Sequence, residues 1–589
     1  MTLAFVTAFL GVLPMLIGRK FLVAAISGGT FFFLSWGIYY LSTPSLVWPL
    51  FGFPSGLVII WWVIMVIASA IGYGDHGDHR DESFIVPLIA SIAPSVILIA
   101  LYILIGIANW PLFKADKYTA VIGEVEKREW TQDVQPKDPL HVRLVPAELA
   151  DFLGSIRINE DNAIGSQYNV GTFTLQMVNK ELIYIAPLEF KRFRVWSSEG
   201  VSPGYIRVHG EDPQVKSEIK TGQSYRYMMS AYWGYNLERH LWKKYYLWGL
   251  TDYSFEIDEQ GKAFWVVTAF KPTIGWSGKK VLGVIVVDPI SGDDVFYPLG
   301  KIPDWIDRAV PKEFVKSYLC WFGEYRGGWW NSFWARKDIT EPEEPNIIYG
   351  SDGNPYWCTG ITSPRNDKSL VGYAYTSSRT GKTVFYKAEG GTDKAVMELV
   401  NNTISYRKLH GSDPVLYNID GVMTSIVPIL GENHTFQGVA FVDVIKLAMA
   451  YSFESALDAY HQYLQKIAAT GEQIPVSGNY YGEEIEGVVD RFGQDISGGE
   501  TTYWLHLNNS KFIFTGTTKI SPELPMTLIG DKVIIRFTKT GEDVVPLTAF
   551  DNTAIATIPS DEQKQVRQRV IERREEERGA ELFRENAQH

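Results

Sequence analysis

Apolar residues are spread unevenly along the chain. Four apolar runs crowd the first 112 residues, at roughly 3–18, 21–41, 56–73 and 85–110. Two charged clusters interrupt them: Arg19-Lys20, and then Asp75, Asp78, Arg80, Asp81 and Glu82. A bilayer core about 30 Å thick is crossed by about 20 apolar residues in a helix. Runs two to four reach or approach that length, while the first is short and holds Pro14. The pattern predicts four transmembrane helices over residues 1–112, with Trp36, Trp48, Trp61, Trp62 and Trp110 near their ends as an interfacial belt. A cleaved secretory leader is the competing reading of the first run, but it has neither a basic start nor a small-residue cleavage site. Arg19-Lys20 should stay in the cytoplasm, which sends the last span outward. Lys114, Lys117, Lys127 and Arg128 argue the other way, although long domains translocate largely regardless of charge. The expectation is a multi-pass protein of a bacterial-type cell membrane, with the lipid bilayer as its first partner and an extracytoplasmic soluble region.

Beyond residue 113 the period changes. Short apolar stretches bounded by Gly, Asn, Asp and Pro predict strands. Helical spacing returns at about 304–319, 392–402 and 453–468. The last reads Phe453, Ala456, Leu457, Tyr460, Tyr463, Leu464 and Ile467, a single buried face. A Gly/Pro/Ser/Asn-rich linker at 471–481 leads to five short strands near 485–490, 502–507, 511–515, 532–537 and 542–549, a small barrel of OB or SH3 type. The fold class expected is thus a membrane α-helical N-terminal region, then α+β repeats with antiparallel sheets and packed helices, then a small C-terminal β-barrel. The domain divisions expected are 1–112, 113–300, 301–470, 471–555 and a charged helical tail at 556–589.

The middle of the chain repeats itself. Asp258-Glu-Gln-Gly-Lys-Ala-Phe-Trp265 matches Ser351-Asp-Gly-Asn-Pro-Tyr-Trp357, and each is followed by an apolar strand. Pro289-Ile-Ser-Gly-Asp-Asp-Val-Phe-Tyr297 then matches Ser378-Arg-Thr-Gly-Lys-Thr-Val-Phe-Tyr386. Looser copies fall at 176–210 and 418–445. These motifs resemble the PepSY module, best at 255–298 and 349–387, within a repeated region of about 170–470. The resemblance implies small units with a helix packed on a short antiparallel sheet. It also implies interaction or regulation, including inhibition of partner peptidases, rather than catalysis. The alternative is a β-meander that repeats its turns because meanders need them.

Composition narrows the function. The chain of 589 residues is 46% hydrophobic, which excludes a disordered protein, and its net charge of −12 argues against a general nucleic-acid binder. In the barrel, Tyr503 and Trp504 are neighbours and point to opposite faces, so no nucleic-acid partner is expected. No HExxH, GxSxG, P-loop or helix-opening GxGxxG pattern occurs, so no catalytic residue and no cofactor is assigned. His76, His79, Asp75 and Asp78 in the 74–82 loop are either metal ligands or a hydrated turn, and the identity of any metal is open. Cys320 and Cys358 are either two buried thiols or a disulfide closing a loop of about 39 residues, worth about 3–4 kcal/mol. The segment Gly323-Glu-Tyr-Arg-Gly-Gly-Trp-Trp-Asn-Ser-Phe-Trp334 gathers Tyr325, Arg326, Trp329, Trp330, Phe333 and Trp334. Aromatics beside an arginine suit a binding surface for an envelope protein, peptide or glycan, or else plug the gap between two repeats. The expected role is non-catalytic binding or regulation at the envelope. The alternatives are a membrane-tethered hydrolase, with Glu324, Asp338 or Cys358 as candidates, and a subunit of a transport or secretion complex.

Overall fold

A computed structural model describes residues 2–17, 21–43, 56–64, 67, 96–97, 100–101, 103–139, 141–350, 352–364, 366–453, 455–469, 482–497, 500–518, 520–538 and 544–555. The 74–82 loop, the 471–481 linker and the 556–589 tail lie outside the described residues. By internal contacts the chain divides into two compact units, with 1–133, 143–395 and 433–436 in the first and 134–142, 396–432 and 437–589 in the second.

The first unit opens with helices α1 (Thr2–Ile17) and α2 (Phe21–Ser42). They pack through Phe31 and Ala8, and the Thr7 and Tyr39 hydroxyls meet at 2.7 Å. Their outer surface stays apolar, with Phe5, Phe9, Ile26 and Phe33 exposed. Four spans are not what the structure supports. Among the described residues one helix, Ala24–Ser42, is long and apolar enough to cross a membrane. At 1.5 Å per residue the 16-residue α1 falls short of a bilayer core. The described parts of the third and fourth runs are shorter still, and the rest of the chain is mostly antiparallel sheet. The multi-pass helical region is therefore corrected to a β-rich protein with one such helix near its N-terminus. Run length alone cannot separate a bilayer span from a helix that packs on its neighbour.

Helix α3 (Pro111–Thr119), strand β1 (Val125–Arg128) and helix α4 (Ala147–Glu160) lead into three sheets. The first holds β2 (Tyr168–Val170), β3 (Thr174–Val178), β4 (Glu181–Phe190), β5 (Tyr205–His209) and β6 (Glu218–Lys220), in the order β2-β4-β5-β6 with β3 also on β4. Helix α5 (Leu237–Tyr245) follows, capped by Asn236, whose side chain accepts from the Arg239 amide. The second sheet is a meander of β7 (Gly249–Ile257), β8 (Ala263–Ile274), β9 (Ser277–Val287) and β10 (Asp294–Pro298). Its strands are apolar on both faces. Trp265, Val267 and Ile285 join Ile183, Ile185 and Phe255 in one core, while Val266, Val284 and Val286 meet Ile306 and Ala309 in another. Each fully buried side chain of this kind contributes about 1.5–3 kcal/mol.

Helix α6 (Lys312–Tyr325) starts after Pro311 and carries Glu313 in its first turn, where the helix dipole favours a negative charge. The third sheet contains β11 (Glu341–Pro342), β12 (Asn346–Tyr349), β13 (Pro355–Ser363), β14 (Asn366–Ser377) and β15 (Thr383–Gly391), with β1 parallel to β15 at one edge.

The helix expected from residue 304 begins only at Lys312, because residues 303–311 serve a buried polar hub instead. Asp307 accepts from the Met177 amide (2.9 Å), the Tyr349 hydroxyl (2.8 Å) and the Arg379 guanidinium (3.0 Å). Its own amide donates to Glu256 at 3.0 Å. Gln176 bonds the Ile257 backbone in both directions and donates to the Trp305 carbonyl. Nearby, Arg308 pairs with Asp252 at 3.0 Å. One residue thus ties the three sheets of this unit together.

In the second unit, helix α7 (Asp393–Ile404) lays Val396 and Val400 on a fourth sheet. That sheet contains β16 (Leu409–Gly411), β17 (Val415–Ile419), β18 (Val422–Gly431), β19 (Phe436–Asp443) and β20 (Met449–Ser452). Helix α8 (Ala456–Ala469) takes Phe441 on the opposite face against Tyr460 and Tyr463. Residues 482–552 form a closed barrel of β21 (Gly482–Ser497), β22 (Glu500–Leu507), β23 (Ile513–Thr517), β24 (Lys532–Thr538) and β25 (Val544–Asn552), ordered β21-β22-β23-β25-β24. Tyr503 is buried in its core, whereas Trp504 is partly exposed.

One turn recurs in both units. The Asp288 amide donates to the Asp293 carbonyl, the Ser377 amide to Lys382, and the Asp443 amide to Ala448. Its fifth position is left-handed each time, at Gly292 (φ 80°), Gly381 (φ 74°) and Leu447 (φ 55°). The first two serve the Gly-x-x-Val-Phe-Tyr strands, and the third follows directly on the looser copy at 418–445, with leucine in the strained seat.

Two stability predictions follow from this geometry. Gly381→Ala adds a methyl group with room around it, 3.7 Å from Val310, so its cost is the backbone alone. Urea denaturation should show a loss of about 1–2 kcal/mol. Asp307→Ala removes the acceptor of the Met177 amide and the carboxylate paired with Arg379, and the same assay should show a loss of about 3–5 kcal/mol.

Candidate functional site

Alternation along a strand places every second side chain on the same face. In the third sheet this aligns Val125 and Lys127 of β1 with Thr383, Phe385 and Lys387 of β15, through the pairs Val125–Thr383 and Lys127–Phe385. Above that face runs α6, which presents Leu319, Phe322 and, immediately after its last residue, Arg326. Together they enclose a cleft of about 670 Å³, with Ile361, Val371 and Ala374 completing the floor. The floor is apolar and the rim is cationic, with Lys127, Arg128, Arg326 and Lys387 against a single carboxylate, Glu129. Arg128 is engaged by Glu126 and Asp133. Lys387 lies 3.8 Å from Glu389 on the open surface, a separation worth little in water. The lining has no histidine or cysteine. It suits holding an apolar segment with a negative group at one end.

The predicted aromatic segment adjoins this cleft. Tyr325 ends α6 and packs on Tyr118, and burial followed by the Glu324 charge pushes its hydroxyl pKa up. Arg326 donates to the Asp338 carbonyl at 2.8 Å and lies over the Phe322 ring. Beyond the Gly327-Gly328 pair, residues 331–335 form a single wide π-type turn. Asn331 ties it down, donating to the Lys337 carbonyl at 2.8 Å and accepting from the Lys337 amide at 3.1 Å. Trp329 stacks on Phe333 at 5.2 Å, and its ring lies 6.2 Å from Trp110. Trp330, Phe333 and Trp334 are nevertheless 63%, 61% and 71% exposed. The turn is held by hydrogen bonds and still presents its rings outward, so it does not fill a gap between repeats.

Of the six predicted binding residues, the structure clusters Trp329, Trp330, Phe333 and Trp334 through ring contacts, while Tyr325 packs on Tyr118 and Arg326 turns to Phe322 and the cleft. Sequence reasoning missed Lys127, Phe385, Val371 and Lys387. The alternation of Thr383, Phe385 and Lys387 was legible, but nothing local pairs β1 with a strand so far along the chain.

The catalytic alternatives find little chemistry. Glu324 accepts from the Ser332 hydroxyl at 3.0 Å, and Asp338 sits exposed in a left-handed position. Cys320 and Cys358 are both free thiols, so the disulfide reading is not what the structure forms. Burial pushes the Cys358 thiol well up, opposite to what a nucleophilic thiolate needs. No group of three or more potential metal ligands occurs among the described residues.

Buried acids concentrate elsewhere. Asp393 and Glu343 face each other in the interior, and both are pushed up, by burial first and then, for Asp393, by the Glu343 charge. Glu256 is pushed up to about 8 by burial and then by Asp307. An acid raised in the fold holds its proton where the unfolded chain has released it. Its stabilising contribution is whole below the unfolded value near 4.3 and is lost as pH rises toward the folded value. Thermal stability should therefore fall between pH 5 and about 8, by roughly 1 kcal/mol per pH unit from this group. Glu256→Gln keeps the shape without the titration. Melting curves at pH 5, 6, 7 and 8 should show a flatter profile for this variant than for the parent.

No protein family and no curated protein matches the chain. Among solved structures, the endo-arabinase from Bacteroides thetaiotaomicron VPI-5482 aligns with 58% of this chain and 91% of its own, at 10% identity and a TM-score of 0.16. A likeness at that level assigns neither fold nor activity.

Proposed function

We propose that this chain is a non-catalytic binding protein, anchored in a cell membrane through α2, whose β-rich part holds an envelope partner on the extracytoplasmic side. The observation that carries this reading is the cleft under α6, with its apolar floor and cationic rim. One wall is β1, an edge strand, and an extended peptide is recognised at such an edge by backbone pairing plus pockets for alternate side chains. The partner that fits is an extended segment combining apolar and acidic residues. Arg19-Lys20 before α2 supports the orientation, since basic residues flanking a span stay in the cytoplasm. The PepSY-like reading of the repeats belongs to the same proposal, supported by the recurring turn and by helices laid on antiparallel sheet.

The test is a titration of the full-length protein in detergent micelles with a library of apolar-acidic peptides, read by fluorescence anisotropy. Saturable, salt-sensitive binding is expected, weakened about tenfold by the pair Lys127→Glu and Lys387→Glu. Bound peptide should be recovered intact by mass spectrometry. Absence of binding, or cleavage of the peptide, overturns the reading.

A further inference from the structure

We propose that the aromatic turn at 329–334, together with Trp110 and Phe113, seats the first unit in the interfacial layer of a phospholipid bilayer. This rests on the reading that α2 anchors the chain in a membrane, and it adds a second, independent contact surface.

The first ground is placement. Residues 103–108 are helical and leave Ile103, Leu104 and Ile107 exposed. This apolar helix runs directly into Trp110, which is exposed and contacts Trp329, and into the exposed Phe113 of α3. Trp329, Trp330, Phe333 and Trp334 therefore extend an apolar surface that starts at residue 103. The β8–β9 hairpin meets the same helix end. Its turn is Gly275-Trp276, with Gly275 at φ 58°, and a Cβ there would lie 3.0 Å from the Asn109 side chain. The end of α2 also meets α5, since Arg239 donates to the Tyr40 carbonyl at 3.0 Å and lies over the Tyr40 ring.

The second ground is chemistry. Tryptophan and its neighbours prefer the headgroup level of a membrane, where the ring is apolar and its edge is polar. Along the sequence, Lys114 and Lys117 of α3 and Arg326, Arg336 and Lys337 beside the turn flank the rings, with Asp116, Glu324 and Asp338 among them. Five cations to three acids complement anionic headgroups. A patch of exposed rings held in place by Asn331 is not what a monomer leaves facing water.

Spin-label depth measurements test this on the full chain in phospholipid nanodiscs with anionic lipid, in a Cys320→Ala background. Labels go to three exposed positions, one at a time: Phe33→Cys in α2, Ala335→Cys in the aromatic turn and Gln260→Cys as a water control. Gln260 sits in the β7–β8 turn, at the opposite end of β8 from Trp276. Twelve residues of strand put about 36 Å between the two ends. The expected result is that collisions with oxygen exceed those with a water-soluble nickel chelate at 33 and 335, and the reverse at 260. Adding Trp330→Ser, Phe333→Ser and Trp334→Ser, all at exposed positions, should move the label at 335 into water and leave the label at 33 unchanged. A label at 335 that behaves like 260 while 33 reads as lipid overturns the proposal, as does a label at 335 that stays in lipid after the three serines are introduced. A label at 33 that reads as water overturns the anchoring itself.

Discussion

The carboxylate of Asp307 organises the first unit. It lies between three sheets and takes a backbone amide from the first, a hydroxyl and a guanidinium from the third, and reaches the second through its own amide on Glu256. A buried carboxylate is costly, and burial pushes the Asp307 pKa up despite Arg379 at its side. It is retained here with three donors on its two oxygens, one of them a guanidinium. That occupancy dictates the conformation of residues 303–311, which therefore cannot be helical, and so fixes where α6 starts. The roof of the cleft and the aromatic turn at its end inherit their positions from this hub.

Much of the strand architecture was legible in the sequence, for local reasons. Gly292 and Gly381 occupy seats that only glycine takes freely, so the duplicated Gly-x-x-Val-Phe-Tyr pattern marks β10 and β15. Leu447 holds the equivalent seat just past the third copy, so no glycine marks that turn in the sequence. The hub was not legible. Nothing in the sequence sets Asp252, Glu256 and Asp307 apart in a chain with many acids, and only tertiary contact buries them. The membrane expectation went furthest astray for a related reason. Phe31 and Ala8 are apolar because they pack on each other, and hydropathy does not record which partner an apolar side chain has.

The candidate site was half legible. The density of aromatics from Trp329 to Trp334 was visible, and so was Arg326. Their exposure was not, because it depends on Asn331 closing the turn and on α6 carrying it clear of the third sheet. The cleft depends on a parallel pairing between segments at opposite ends of the first unit's sequence, which no window of residues contains.

Arg326 belongs to two surfaces. It lines the cleft, and through the Asp338 carbonyl it also braces the turn that carries the tryptophans. A ligand that draws this guanidinium inward weakens the brace, while a surface that holds the turn fixes the guanidinium where the ligand meets it. Were both proposed surfaces occupied, linkage would require each to alter the affinity of the other by the same factor. The side chain that the cleft and the turn share is where that exchange would be carried.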